Sequence, residues 1–185
     1  MRPCLPLASV HFIIALLLAS AAALGALPAV DALFAVVFAA LMLWLAKSDI
    51  ESFELPDLTT LAVAALGSTW IATLPDPGLR LLDAAQRAIF ATACLSAVKW
   101  SYARLRGREG LGWGDVKLAA AGAIWLDWPE LPIALLFAAA AGIIAVAARA
   151  IVARAPISSS AAIPFGAFLA PSIWVAWFAD RAGLF

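Results

Sequence analysis

The sequence predicts an all-α fold, a polytopic membrane helix bundle with about seven transmembrane helices. Hydrophobic residues make up 65% of the 185-residue chain and charged residues only 13%, whereas soluble domains contain roughly 45–50% apolar residues. The mean hydropathy of +1.01 agrees with this composition. Apolar runs, most of them near the length of about 20 residues that spans a bilayer, take up nearly all of the chain. We therefore expect one membrane domain and no separate soluble one.

Charged residues, proline and glycine divide the chain into seven apolar runs. The first run is longer than the core of a cleavable signal sequence and is followed at once by a second span, so we predict that it stays attached as a helix. The fifth run would rise only about 18 Å against a hydrocarbon core of roughly 30 Å. Neighbouring helices must therefore shield it, or it must enter at an angle. The predicted spans cover approximately residues 5–27, 31–46, 57–74, 81–103, 115–126, 131–152 and 163–178.

Several polar and aromatic residues near the span ends have predicted roles. Asp57 is predicted as the N-cap of the third span, because an aspartate side chain accepts hydrogen bonds from the free amides of a first turn. Arg87 and Lys99 lie near the two ends of the fourth span, where long side chains reach the interface. The eight tryptophans, among them Trp125 and Trp177, fall mostly near span ends and are predicted to be interfacial anchors.

The basic residues are distributed unequally between the two sides of the predicted bundle. If the N-terminus is cytoplasmic, alternation of seven spans places nine of the twelve lysines and arginines on the cytoplasmic side. This bias predicts a cytoplasmic N-terminus and puts Asp49 and Asp115 together at the cytoplasmic edge. The formal net charge is zero, which argues against nucleic acid as a partner and leaves the lipid bilayer as the expected surroundings.

The sequence contains no set of residues typical of a metal or cofactor site. Cys4 and Cys94 are far apart and form no Cys-x-x-Cys pair, so neither a zinc site nor a disulfide framework is indicated. His11, the only histidine, lies inside the first predicted span. We therefore predict that the protein uses no metal and no cofactor.

Two aspartates at predicted helix ends are the candidate catalytic residues. Asp115 follows Gly112-Trp113-Gly114, and Asp49 closes the second span ahead of Leu55-Pro56-Asp57. Peptide hydrolysis by two carboxylates needs one ionised group to accept a proton from water and one protonated group to polarise the carbonyl. Two close like charges reach that state by sharing a proton. The glycines would let an extended substrate approach, but a simple turn with a helix cap also fits these residues, which alone leave both interpretations open.

The sequence resembles the type IV prepilin peptidases, membrane-embedded aspartic proteases that cut leaders from prepilins. Three segments carry the resemblance, which covers about residues 32–178. They are residues 112–118 with a Gly-x-Gly-Asp signature, Asp49 with a proline seven residues later, and residues 163–169 with a Pro-Phe-Gly element that opens the last helix. The resemblance implies that Asp49 and Asp115 are catalytic. It implies substrate-binding or site-shaping roles for Pro56, Asp57, Gly112, Trp113 and Gly114.

The resemblance has further implications for domain organisation and activity. Residues 1–29 are expected to form an additional N-terminal transmembrane helix, and residues 30–180 the membrane-embedded peptidase core. The sequence lacks the paired Cys-x-x-Cys motifs that accompany N-methylation in larger members, so no methyltransferase activity is expected. The chain is more similar to the short peptidase-only members of Flp or tight-adherence pilus systems. This similarity implies a bacterial inner-membrane enzyme, a prepilin or pseudopilin substrate, and the pilus assembly machinery as a further partner.

Three alternatives remain open at this point. Presenilin-like and signal-peptide-peptidase-like proteases also use Gly-x-Gly-Asp, but their first aspartate follows tyrosine and they carry a Pro-Ala-Leu element. Here Asp49 follows Ser48, and the C-terminal run reads Leu169-Ala170-Pro171. A transporter could use Asp49 and Asp115 to bind protons, which would require further polar groups in mid-membrane. A structural assembly subunit would need neither aspartate.

Overall fold

The computed structural model describes residues 27–153 and 163–184, together with Ala21 and Gly25. Within these residues the protein is all-helical, with six α-helices and no β-strand. The helices are α1 Ala29–Ser52, α2 Asp57–Ile71, α3 Pro77–Arg106, α4 Trp113–Gly122, α5 Glu130–Ala153 and α6 Gly166–Arg181.

Three of the six helices have the length and composition to cross a membrane. These are α1, α3 and α5, with 24, 30 and 24 residues, whereas α2, α4 and α6 contain 15, 10 and 16. Each helix coincides with one predicted run, from the second run to the seventh. The first predicted run, 5–27, falls almost wholly outside the described residues. The all-α prediction is therefore confirmed, while the number of seven transmembrane helices stays a prediction.

Helix α6 forms the centre of the bundle. Ten of its sixteen residues are buried, and its most extensive contacts are with α5 and α1. The short helix α4 packs against α2, α3 and α6, so its neighbours do shield it. Gly122 allows α4 to approach α6 closely, because a Cβ atom there would lie 2.6 Å from Cδ1 of Ile173.

An aromatic cluster in the core links several of the helices. Trp125 stacks on Phe38 with ring centroids 3.9 Å apart and on Trp70 at 5.5 Å, while Trp177 meets all three rings edge-on. The indole nitrogen of Trp125 donates a hydrogen bond of 3.0 Å to the carbonyl oxygen of Val63. Trp125 is 2% exposed and Trp177 is fully buried. The prediction that these two tryptophans are interfacial anchors is therefore wrong, since they form the core.

A polar cluster lies at the end of the bundle where α1 begins and α4 ends. Arg87 is 4% exposed and is paired with Asp83 and, at 3.3 Å, with Asp127. Its Nε donates a hydrogen bond of 3.2 Å to the carbonyl oxygen of Ala123. The protein's own acceptors thus satisfy this charge, which a buried guanidinium requires. The prediction that Arg87 reaches outward to the interface is wrong for that reason.

Candidate active site

Asp49 lies in the last turn of α1 and is 5% exposed. Its Oδ2 accepts a hydrogen bond of 2.8 Å from the main-chain amide of Ala167, the second residue of α6. The first amides of a helix have no partner within the helix and form its positive end, so they suit a carboxylate. The start of the central helix therefore fixes the position of Asp49.

Asp115 is the third residue of α4 and is 9% exposed. Its Oδ2 accepts a hydrogen bond of 3.2 Å from the main-chain amide of Gly112, which occupies the N-cap position. Because glycine has no side chain to cap the helix, only the acidic half of a capping box is formed. This bond engages Oδ2 of Asp115 and leaves Oδ1 out of the cap.

The two carboxylates meet beside Gly166, the first residue of α6. A Cβ atom at this glycine would lie 3.0 Å from Oδ2 of Asp49 and 3.1 Å from Oδ1 of Asp115. The two oxygens are consequently separated by at most the sum of those distances, about 6.1 Å. The fold thus brings the two aspartates together, and a side chain at position 166 would press on both.

Asp49 and Asp115 line a cleft of about 560 Å³. Its walls come from the end of α1, the segment leading into α2 and the start of α4. Two aromatic side chains in the lining, Phe53 and Trp113, are more than half exposed. All seven site residues named from the sequence contribute to this lining: Asp49, Pro56, Asp57, Gly112, Trp113, Gly114 and Asp115.

Comparison of the sequence with known protein families gives a match that includes this cleft. The family model for type IV leader peptidases matches residues 36–147, a range that contains both aspartates and the whole lining of the cleft. The chain belongs to the type IV leader peptidase family. The resemblance read from the sequence is therefore confirmed.

Curated relatives of this chain carry the name prepilin leader peptidase/N-methyltransferase. The protein of that name from Aeromonas hydrophila is 32% identical over 160 residues, which cover 86% of this chain and 54% of the relative. The one from Burkholderia pseudomallei is 37% identical over 160 residues, which cover 83% of this chain and 50% of the relative. The chain thus spans about half the length of these relatives. No solved structure matches it.

Asp57 is not the N-cap of α2. Helix α2 begins at Asp57 itself, one position earlier than the prediction requires, and Pro56 occupies the cap position. Both carboxylate oxygens of Asp57 accept hydrogen bonds from Nζ of Lys117, at 2.7 Å and 2.9 Å. This ion pair joins the start of α2 to α4, so it ties together the two segments that carry the family motifs.

Two glycines of the family motifs have a packing role that sequence reasoning did not predict. A Cβ atom at Gly114 would lie 3.1 Å from Cβ and Cδ1 of Leu55, and one at Gly166 would lie 2.8 Å from Cδ1 of Leu55. Gly114 and Gly166 therefore let the segment before α2 close on the starts of α4 and α6. The approach of a substrate backbone at Gly112 and Gly114 stays a prediction.

Sequence reasoning did not assign Gly166 and Ala167 to the site. The bond between Ala167 and Asp49 joins residues 118 positions apart, and no local pattern marks such a contact. The only signal in the sequence was the resemblance of residues 163–169 to a leader peptidase segment, which indicated a helix start and no contact with the acids.

The cleft offers two carboxylates held by main-chain amides. Among residues 27–153 and 163–184, no group of three or more His, Cys, Asp or Glu side chains could hold a metal ion. Cys4 and His11 lie outside that part of the chain. The absence of metal and cofactor therefore stays a prediction.

Proposed function

We propose that the protein is a membrane-embedded aspartic endopeptidase that removes the basic leader of Flp-type prepilins. One observation carries the proposal: Oδ2 of Asp49 and Oδ1 of Asp115 lie 3.0 Å and 3.1 Å from a single point beside Gly166. Membership of the type IV leader peptidase family supports a peptide substrate. Relatives named prepilin leader peptidase support the choice of a prepilin.

The proposed chemistry follows from the like charge of the two acids. Two buried carboxylates this close repel each other when both are ionised, so the pair retains one proton. The ionised member takes a proton from water, and the water oxygen attacks the carbonyl carbon of the scissile peptide. The protonated member donates a hydrogen bond to the carbonyl oxygen, where negative charge develops. As the tetrahedral intermediate breaks down and the C–N bond cleaves, the leaving nitrogen takes up the proton that the first carboxylate removed from water.

Main-chain amides support this chemistry by holding both acids in place. Asp49 is bound by the amide of Ala167 and Asp115 by the amide of Gly112. Amides at helix starts are rigid, so neither carboxylate has to be reoriented during the reaction. Oδ1 of Asp115, which takes no part in the cap, is the oxygen nearer to the point shared with Asp49.

The location of the cleft suits a substrate anchored in a membrane. A prepilin presents a basic leader ahead of an apolar helix, so its cleavage point lies at the membrane boundary. We place the cleft and the N-terminus on the cytoplasmic side of the bacterial inner membrane, and the unequal distribution of basic residues supports this orientation. Pilus assembly machinery would receive the product. We expect no N-methylation, because the sequence lacks paired Cys-x-x-Cys motifs.

Co-expression with a Flp-type prepilin tests the proposal, with leader removal read on a gel. Asp49→Asn and Asp115→Asn should each abolish processing, because asparagine keeps the size and the acceptor oxygen but exchanges no proton. Asp31→Asn is the matched control. Asp31 is on the same helix as Asp49 but at its other end, where it accepts a hydrogen bond from Trp70 that asparagine can also accept.

Membrane insertion of every variant is checked by fractionation, so that a missing protein is not mistaken for an inactive one. Normal processing by inserted Asp115→Asn would refute the two-aspartate mechanism. A proton-binding transporter or a structural assembly subunit would then become the better explanation.

A further inference from the structure

Lys99 is a buried charge near the end of α3 that adjoins the cleft. The residue is 7% exposed, although most of α3 is exposed. Burying an ammonium group is unfavourable unless hydrogen-bond acceptors and an opposite charge surround it. The prediction that Lys99 reaches outward to the interface is therefore wrong, and its contacts show what it does instead.

The contacts of Lys99 lie in the segment that leads into Asp115. Its Nζ donates hydrogen bonds of 2.8 Å to Oε2 of Glu109 and 2.8 Å to the carbonyl oxygen of Leu111. The same nitrogen lies 5.4 Å from the centroid of the Trp113 ring, a distance at which a cation is attracted to an indole. Lys99 thus fastens residues 109–113 to α3.

One of these bonds acts on the group that holds Asp115. The carbonyl of Leu111 and the amide of Gly112 belong to the same planar peptide group. Lys99 binds the carbonyl side of this group, and the amide side donates the 3.2 Å hydrogen bond to Oδ2 of Asp115. Consecutive hydrogen bonds polarise one another, so a cation at the carbonyl strengthens donation by the amide.

We propose that Lys99 is a positioning residue of the peptidase site, which orients and polarises the Leu111–Gly112 peptide group so that its amide holds the Asp115 carboxylate. The inference rests on the proposed function. It adds a third requirement beside the two acids: a positive charge that acts on one of them through a single peptide group.

Several charged groups from the surrounding elements lie near the two acids, and the pH dependence of each variant must be interpreted with all of them. Asp49 faces Asp115 from α1, while α6 contributes the main chain of Gly166. The ion pair of Asp57 and Lys117 lines the cleft from α2 and α4. Glu54 lines the cleft from the segment before α2. On the side of α3 lie Lys99 and its partner Glu109.

The test is steady-state processing of a Flp-type prepilin by the full-length protein across a range of pH. Lys99→Met removes the charge and both hydrogen bonds at similar side-chain length. We expect it to lower kcat by about ten-fold or more with little change in KM, since a hydrogen bond involving a charged group contributes at about that level. Burial raises the pKa of Asp115, and the positive charge of Lys99 lowers it. Without that charge Asp115 should keep its proton to higher pH, so the part of the pH–rate profile that reports Asp115 should move to higher pH.

Three further variants separate positioning from packing. Lys99→Arg keeps the charge and the donors and should recover most of the activity at the wild-type pH profile. Glu109→Gln should change kcat by less than about three-fold, because the Glu109 side chain is 77% exposed and the bond to Leu111 remains. Lys47→Met is the matched control, since Lys47 is exposed and lies two positions before Asp49 without lining the cleft.

Distinct outcomes overturn the two proposals. If Asp115→Asn processes prepilin normally, the proposed function fails. If the Asp variants are inactive but Lys99→Met has the wild-type kcat and pH profile, the positioning role fails. Equal losses in Lys99→Met and Lys99→Arg at an unmoved pH profile would also refute it, in favour of packing. If Lys99→Met does not insert, Lys99→Gln replaces it in the test, because glutamine keeps a hydrogen-bond donor without the charge. A wild-type pH profile in Lys99→Gln would then overturn the inference.

Discussion

The main-chain amide of Ala167 donates a hydrogen bond of 2.8 Å to Oδ2 of Asp49. This bond joins the start of the central helix α6 to the last turn of α1, and it brings Gly166 between the two acids. The segment that resembles the opening of the last helix in leader peptidases therefore contacts the acids of the candidate active site. A change at the start of α6 should consequently be felt by both aspartates.

Gly166→Ala is expected to reduce prepilin processing by at least about ten-fold. The new Cβ atom would lie 2.8 Å from Cδ1 of Leu55 and close to a carboxylate oxygen of each aspartate, so one or more of these groups must move. A displacement of catalytic groups by a fraction of an ångström is enough for a loss of this size. The measurement is the rate of leader removal by equal amounts of inserted protein.

Gly142→Ala is the matched control for that substitution. Gly142 is also a helical glycine, but a Cβ atom there would lie 3.7 Å from Cδ2 of Phe168, an ordinary contact distance. Alanine in a helix interior is favoured over glycine by up to about 1 kcal/mol. This variant should therefore process prepilin at the wild-type rate. Equal activity of the Gly166 and Gly142 variants would contradict the view that Gly166 makes room for the acids.

The ion pair of Asp57 and Lys117 is expected to contribute little to activity. Asp57→Asn and Lys117→Met should each alter the processing rate by less than about five-fold, because both side chains are more than half exposed and such pairs contribute about 0.2–1 kcal/mol. The double variant should process prepilin at about the rate of the less active single variant, because either single substitution already breaks the ion pair. A loss in Asp57→Asn as complete as that in Asp115→Asn would instead make Asp57 part of the chemistry.

Processing is expected to continue in the presence of EDTA and of serine and cysteine protease inhibitors. The proposed reaction uses two carboxylates and water, and thus requires neither a metal-bound water nor a nucleophilic side chain. Cys94 provides a control for thiol reagents: it is exposed on α3 and does not line the cleft, so Cys94→Ser should be fully active. Inhibition by EDTA that zinc reverses would reveal a metal requirement.

Trp125→Ala is expected to destabilise the fold by about 3–5 kcal/mol, as large-to-small changes in aromatic cores do. The substitution removes the stacking with Phe38 and Trp70 and leaves the carbonyl oxygen of Val63 without its indole donor. Unfolding in mixed micelles at increasing denaturing detergent measures the change. Trp44→Ala is the control, because Trp44 is 57% exposed on α1, and it should cost less than about 1 kcal/mol. Similar costs for the two variants would contradict a structural core at Trp125.

Helices could be predicted from the sequence because hydropathy and the polar residues, prolines and glycines that end helices are local signals. The polar segment around Pro56 separates α1 from α2, and the charged residues before Gly112 separate α3 from α4. Asp49 and Asp115 could be assigned to the same edge of the bundle because both fell at helix ends on one side of an alternating topology. Their pairing as catalytic acids came from the resemblance to the family.

Long-range contacts could not be predicted from the same patterns. A tryptophan near a helix end has the same sequence signature whether it meets lipid head groups or, as Trp125 does, a stack of other rings. A lysine near a helix end likewise fits both an interface and the buried position of Lys99. Whether such a side chain is buried or at the interface depends on which helix packs beside it. That helix can come from a distant part of the sequence, as α6 with Gly166 does for Asp49 and Asp115.

The short helices around the cleft imply a mismatch between this protein and the bilayer. Helices α2, α4 and α6 contain 15, 10 and 16 residues, so each rises no more than about 24 Å, while the hydrocarbon core is about 30 Å thick. Neighbouring helices shield α4 and α6, so α2, with its exposed Leu58 and Leu61, is the short helix that would meet lipid. Lipids beside α2 would have to thin, or water would have to enter where it ends. Either response lowers the cost of bringing a polar peptide bond to two aspartates. A thicker bilayer of long-chain lipids would oppose this response, so bilayer thickness should affect the rate of the proposed peptidase reaction.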